Sequence, residues 1–261
     1  MTVRTVAGRA GLAKEDGPIL ISVGVFDGLH LGHVWLIEHL VREARLRSTR
    51  PAVITFDAHP DAILHGAAPP LLLDPAERLA RLGELGVELV VVEHFDETLR
   101  QTPYDAFVAG IDARCALAGF VMTPDAAFGH ERAGTPAALA ELGRREGFDV
   151  ILVPPFTLDG RDVRSSEIRA AISSGDFAAA EGLLGRPYAV TGVTGESSPG
   201  QNAMHFTMPV AMPPPGTYDV EVECPAGAPP VRSRAIVGGD GSLEIASVPS
   251  EMETRVVFGS G

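Results

Sequence analysis

Between residues 19 and 184 the chain alternates short apolar runs with segments of helical periodicity, and few architectures accept that pattern. Residues 19–23, 52–56, 89–92, 120–122 and 149–153 read as strands, and 34–47, 75–85, 103–117, 136–146, 166–173 and 177–184 as helices. Strands separated by helices of this length predict a parallel sheet covered on both faces, an α/β class. In such sheets ligands sit beyond the carboxyl ends of the strands. Chemistry is therefore expected in the loops after Val23, Phe56, Met122 and Val153.

The pattern changes near Leu184. From there the chain is rich in Gly, Pro and β-branched residues, with strand-like runs at 218–222, 231–237 and 255–258 and breakers at Pro213-Pro214-Pro215-Gly216 and Gly238-Gly239-Asp240-Gly241. This predicts two domains, 1–185 and 186–261, the second a small all-β barrel-like module. Apolar residues make up 45% of the chain and charged residues 21%, an ordinary globular balance. No apolar run approaches the roughly 20 residues that span a bilayer, and residues 1–18 lack a signal-peptide core. A cytoplasmic protein with no membrane partner is expected. Cys115 and Cys224 lie far apart, without CxxC or Cys/His ligand spacing, and read as two reduced thiols in different domains. The net charge of −13 and the dispersed basic residues argue against nucleic acid. A polyanionic ligand would need local donors and a cation of its own.

Such donors are present in Gly24-Val25-Phe26-Asp27-Gly28-Leu29-His30-Leu31-Gly32-His33, between the first apolar run and the first helix. Glycine permits a tight turn and close approach of a ligand to the backbone. His30 and His33 stand three apart at a helix mouth, so they can share a face. A helix N-terminus already attracts anions, and two imidazoles there can follow charge developing on a phosphate. The plainer reading is that the histidines decorate a helix start, and a zinc reading lacks further ligands nearby. Val163-Arg164-Ser165-Ser166-Glu167-Ile168-Arg169 forms a second cluster. Ser165 and Ser166 suit an N-cap. Arg169 opposes the helix dipole, which a bound phosphate would explain. Two further features have plainer readings: the Glu93-His94-Phe95-Asp96-Glu97 stretch as a solvated loop, and Trp35 as packing rather than ligand stacking.

Taken together, these segments resemble the prokaryotic bifunctional riboflavin kinase/FAD synthetase family over about residues 18–188. The matching motifs are the GxFDGxHxGH loop, Thr55-Phe56-Asp57-Ala58-His59-Pro60, Phe128-Gly129 followed by Arg132 and Gly134, the SSxIR segment, and Leu184-Gly185-Arg186-Pro187-Tyr188. The resemblance implies a Rossmann-like nucleotidyltransferase domain followed by a riboflavin-kinase-like β domain. It implies transfer of AMP from ATP, with Mg2+, to FMN, giving FAD and pyrophosphate. Carried over, Gly24, Phe26, Asp27, Gly28, His30, Gly32 and His33 would bind ATP with Ser165, Ser166 and Arg169, and His30, His33 and Arg169 would be catalytic. His59, Asp125, Phe128 and Gly129 would lie on the acceptor side, His59 also toward the metal. No general base is implied, because the FMN phosphate is already ionised near neutral pH.

The sequence departs from the family in places. The family's Gly-x-Asp-Phe-Arg-Phe-Gly loop reads Thr123-Pro124-Asp125-Ala126-Ala127-Phe128-Gly129, so an aromatic and a cation are missing. Arg164 replaces a serine, and Ala58 a proline. The kinase half's Pro-Thr-Ala-Asn signature falls on His205-Phe206-Thr207-Met208-Pro209-Val210, without the Thr/Asn pair. The expectation is an FMN adenylyltransferase with a degenerate kinase module and no riboflavin kinase activity. The alternatives are a paralogue acting on a different acceptor, or a non-catalytic nucleotide or flavin sensor.

Overall fold

Central strands of a parallel sheet are buried on both faces and so read as unbroken apolar runs. In the computed structural model, which describes residues 3–198, 201–223, 229–246 and 251–259, these runs build a six-stranded parallel sheet. Its strands are β1 (Arg4–Ala7), β2 (Ile19–Val23), β3 (Arg50–Phe56), β4 (Leu89–Glu93), β5 (Leu117–Met122) and β6 (Asp149–Leu152), in the order β1-β4-β3-β2-β5-β6. Helices α1 (Leu31–Leu46), α2 (Asp61–Leu64), α3 (Pro75–Glu84), α4 (Glu97–Arg100), α5 (Tyr104–Asp112) and α6 (Pro136–Glu146) intervene. Beyond β6 come a two-stranded ribbon, β7 (Thr157–Leu158) with β8 (Arg161–Asp162), and two helices, α7 (Ser165–Ser174) and α8 (Phe177–Leu184).

The order of strands has a functional consequence. From β2 the chain moves to β3 and β4 on one side, then returns to lay β5 and β6 on the other. The order in which the chain adds strands therefore reverses between β2 and β5, and loops leaving those two parallel strands part there. Ligands of open α/β sheets bind at such switch points.

The rest of the chain closes a six-stranded antiparallel barrel, β10-β13-β12-β11-β14-β9, from β9 (Ala189–Ser198), β10 (Gln201–His205), β11 (Gly216–Glu223), β12 (Val231–Val237), β13 (Leu243–Ala246) and β14 (Glu253–Phe258). The α/β sheet followed by a barrel is the architecture expected from the sequence. Cys224 and its expected thiol lie outside the described residues; Cys115 is a buried free thiol.

Two compact units result, divided elsewhere than at residue 185. One comprises residues 1–26, 32–69 and 75–162; the other comprises 27–31, 70–74 and 163–261. Side-chain packing explains the difference. Ile168 and Ile172 of α7, and Phe177, Ala180 and Leu184 of α8, bury their apolar faces in one cluster with the barrel residues Val220, Ala235, Val256 and Phe258. The sheet unit has a core of its own, built on Ile19, Ile21, Ile54, Val91, Phe107 and Phe120.

Helix ends match expectation where local signals are strong. Helix α6 starts after Thr135, whose hydroxyl accepts from Ala138 N, and stops at left-handed Gly147. Two expectations need correction. The predicted 103–117 helix ends at Asp112, because Leu117–Met122 is needed as β5 in the sheet interior. The 93–97 stretch is solvated only beyond its first residue: His94 and Glu97 are exposed, but Glu93 is the end of β4. Glu93 is buried, taking the Arg9 backbone N–H at 2.7 Å and its guanidinium at 3.2 Å. Asp96 caps α4 by accepting from Leu99 N. Trp35 donates to the Pro154 carbonyl at 3.0 Å and packs beside His39. No helix among the described residues is long and apolar enough to cross a membrane.

Candidate active site

The loop after β2 is forced into rarely populated backbone. Phe26, Gly28 and Leu29 all have positive φ, at 53°, 79° and 38°. For Phe and Leu this geometry is strained, and it persists only where surroundings over-determine it. Both side chains are buried, at 2% and 1% exposure. At Gly24 a Cβ would meet the Phe26 ring at 3.0 Å, so glycine favours the close approach.

Within the sheet unit, Val25's carbonyl accepts from the Thr55 hydroxyl at 3.1 Å and from the Arg78 guanidinium at 2.9 Å. Arg78 also donates to the Phe56 carbonyl at 2.8 Å. It is buried, and nothing in the local sequence marked it: only the fold brings α3 to these carbonyls. The Phe26 ring packs edge-on to that of His33, centroids 5.3 Å apart. Phe26 thus supports His33 from within the core rather than offering surface to a ligand. His33 and Gly32 lie in the first turn of α1, partly exposed.

In the barrel unit, Asp27 is buried and takes the Leu72 N–H at 2.9 Å with one oxygen and the Arg169 guanidinium with the other. Arg169 Nε donates to the Pro70 carbonyl at 2.7 Å. The cation left unexplained by the sequence therefore has an internal partner in Asp27. Ser165, expected as an N-cap, instead stands inside the first turn of α7 and donates to the Asp27 carbonyl at 3.2 Å. The cap position falls to Arg164, and Ser166 is exposed. Asp27, Ser165 and Arg169 are brought together around the 27–31 loop. Arg186, which the sequence marked only as part of a junction motif, donates to the carbonyls of Gly28 and Leu29.

His30 is 5% exposed. Burial, and then the charge of Arg186, push its pKa from the ordinary 6.5 down to about 4. The folded chain holds this ring neutral where the unfolded chain would protonate it, so its contribution to stability is complete above pH 6.5 and drains away toward about 4. A gap of that size corresponds to roughly 3 kcal/mol. Denaturant titrations should show stability falling over that window in the parent and much less in His30→Asn. Parallel curves would refute a depressed pKa.

The loop after β5, expected from the sequence to border an acceptor, is shaped by its backbone. Thr123 donates to the Asp125 carboxylate at 2.7 Å, and Arg132 to the Asp125 carbonyl at 3.2 Å. Gly129, at φ 77°, passes so close to Tyr104 that a Cβ would sit 2.7 Å from its backbone. Phe128 packs against Phe107 and Phe120 in the core, centroids 5.2 and 5.5 Å away. Ala126 and Ala127 line a cavity of about 20 Å3 with Val23, Met122 and Phe128, at the switch point. Beside the loop after β3, His94 pairs with Asp57 at 2.6 Å, a bond that raises its pKa. The sequence named both residues but not their pairing, because it joins loops 37 residues apart.

His59 does not fit a metal ligand. Its Nδ1 accepts the Asp61 N–H at 3.2 Å, and Mg2+ prefers oxygen donors. Among the described residues no group of three or more His, Cys, Asp or Glu converges to hold a cation.

Comparison with known proteins matches this arrangement to a family. The FAD synthetase family model covers residues 12–167. The bifunctional riboflavin kinase/FMN adenylyltransferase of Haemophilus influenzae is 32% identical over 174 residues, 66% of this chain and 56% of that protein. That of Escherichia coli is 31% identical over 182 residues, 69% of this chain and 58% of its own. The chain thus spans little more than half the length of these two relatives. The Bacillus subtilis protein of the same name is 29% identical over 226 residues, 81% of this chain and 70% of its own. A crystal structure described as a macrolide-efflux protein from Streptococcus pneumoniae shares the fold: TM-score 0.79, 24% identity, 98% of this chain and 88% of that one. The family model alone accounts for more than half of the sequence, the 24–33 loop included, and this chain belongs to the FAD synthetase family.

Proposed function

We propose that this chain is an FMN adenylyltransferase. The observation that carries the reading is the cluster in which Asp27, Ser165 and Arg169 surround the strained 27–31 loop, in a chain of this family. On this reading the β- and γ-phosphates of MgATP lie against Ser165, Ser166 and Arg169. Two nitrogens of Arg169 are engaged by Asp27 and Pro70, so Nη1 is the one assigned to phosphate. His30 and His33 then face the α-phosphate. A phosphate oxygen of FMN attacks the α-phosphorus, the bond to the bridging oxygen breaks, and pyrophosphate leaves with that electron pair. The protein supplies positioning and donors to the developing charge. Asp125, Gly129 and His59 would border the acceptor.

The barrel contributes no kinase activity in this reading. The segment that carries the kinase signature in relatives is used otherwise here. Pro209 O accepts from Leu71 N at 2.8 Å, Ala211 N donates to Leu71 O at 2.9 Å, and Tyr188 donates to the Ala211 carbonyl at 2.5 Å. Main-chain groups bound in this way brace residues 70–74, which supports a structural role for this segment.

A second reading, transfer to a different acceptor, is favoured by Ala126 and Ala127, which give the switch-point cavity neither a stacking ring nor a cation. Incubation with ATP, Mg2+ and either FMN or riboflavin, with FAD, FMN and pyrophosphate followed by chromatography, separates the readings. FAD from FMN, and no FMN from riboflavin, is the expected result. ATP binding without FAD would move the assignment to another acceptor.

A further inference from the structure

Arg186 follows the Gly185 cap of α8, one residue beyond the domain end expected from the sequence, yet its side chain serves the loop after β2. Nη2 donates to the Gly28 carbonyl at 2.6 Å and Nη1 to the Leu29 carbonyl at 3.1 Å. A third bond, to the Leu184 carbonyl at 3.4 Å, ties the guanidinium to the end of α8. Two consecutive carbonyls thus converge on one fork of donors, a geometry suited to arginine and not to lysine.

The peptide plane gives this convergence its meaning. In a trans peptide the N–H points opposite to the C=O of the same unit. Carbonyls drawn onto Arg186 turn the N–H groups of Leu29 and His30 the other way. Successive N–H groups in left-handed backbone form an anion-binding concavity. Residue 28 must be glycine for this, because a Cβ there would meet Leu72 at 3.1 Å in backbone of φ 79°. The charge of Arg186 is also one of the causes that keep the His30 ring neutral.

We infer that Arg186 is a positioning residue for adenylyl transfer: it holds the Gly28 and Leu29 carbonyls so that the N–H groups of Leu29 and His30 face the ATP phosphates. This rests on the function proposed above. It follows that the nucleotide loop depends on a residue supplied by the start of the barrel half, and that a fragment ending at 185 loses it.

The test uses the full chain with Arg186→Ala and Arg186→Lys. Arg186→Ala is expected to lower kcat for FAD formation about 10- to 100-fold, with KM for FMN changed less than about twofold, because the lost donors serve the phosphates and not the flavin. Guanidinium ion at millimolar concentration should restore a large part of kcat in Arg186→Ala and none in the parent. Arg186→Lys should fall between the two. In 15N-histidine NMR, His30 should titrate near about 4 in the parent and move up in Arg186→Ala. Should Arg186→Ala fail to fold, Arg186→Lys carries the same measurements. A folded variant with parental kcat, or a loss that guanidinium does not restore while His30 titrates unchanged, overturns the inference. If the parent makes no FAD, the FMN reading has failed. ATP affinity by equilibrium dialysis, with the His30 titration, then decides the role of Arg186 alone: both should change in Arg186→Ala, and two unchanged values refute it.

Discussion

His33→Ala is expected to lower kcat for adenylyl transfer roughly 100- to 1,000-fold, the usual cost of removing one donor to charge that develops in the transition state. His33 lies in the first turn of α1, where backbone N–H groups already favour an anion, and its ring is steadied edge-on by buried Phe26. Because that support comes from Phe26, the imidazole can be removed without opening the sheet core. Circular dichroism and melting should stay close to the parent. The decisive comparison is kcat against KM for ATP. A fall in kcat with little change in KM marks an interaction made in the transition state, whereas a folded His33→Ala with parental kcat would remove His33 from the mechanism.

Asp27→Ala should be the most damaging single change to stability. Asp27 is buried, and its carboxylate satisfies both the Leu72 N–H and the Arg169 guanidinium. Removing one partner of a buried pair leaves an uncompensated charge and costs about 3–5 kcal/mol. For a chain of this size that corresponds to a fall in Tm of roughly 6–20 °C. Arg169→Met added to Asp27→Ala should recover part of the loss, since the stranded cation is gone, although Leu72 N–H still lacks its acceptor. Thermal unfolding of the two variants beside the parent measures this directly. A loss below about 1 kcal/mol in Asp27→Ala would mean the pair contributes as a surface pair does. Activity should fall in both variants, because Asp27 fixes the loop that carries His30.

The same carboxylate shows where sequence reasoning stopped. Arg169 stood out because a cation at a helix start opposes the dipole, and a phosphate was the explanation that sequence could offer. Only the fold revealed Asp27, 142 residues away, as a partner. Ser165 carries the same lesson, with the residue type and region foreseen and the hydrogen-bond partner not. Arg78 was passed over, and Arg186 and His94 were named without a role of their own, for a shared reason. Each acts through groups remote in sequence, and an isolated Arg or His carries no periodicity or cap signal.

Elements were legible in proportion to how local their determinants are. Helix α6 matched at both ends because Thr135, Pro136 and Gly147 mark them within a dozen residues. Strand β1 was missed: its pattern is mostly exposed, and it exists because main-chain groups of Arg4–Ala7 pair in parallel with β4. Three barrel strands, β9, β10 and β13, were missed as well: the Gly238–Gly241 turn leads into β13, but barrel closure, not a local run, pairs these strands.

What the sequence determined by itself, then, was the alternation that demands a parallel sheet, the change to β structure after α8, and the histidine-bearing loop at a helix mouth. Periodicity, glycine and helix ends are properties of neighbouring residues, so the order of the chain is enough to specify them. What only the tertiary structure decided was the strand order that makes β2 and β5 a switch point, the grouping of α7 and α8 with the barrel, and the partners of Asp27, His30 and Arg186. Those depend on which distant groups meet out of water, where an unpaired charge or carbonyl is costly and each must find its complement in the fold.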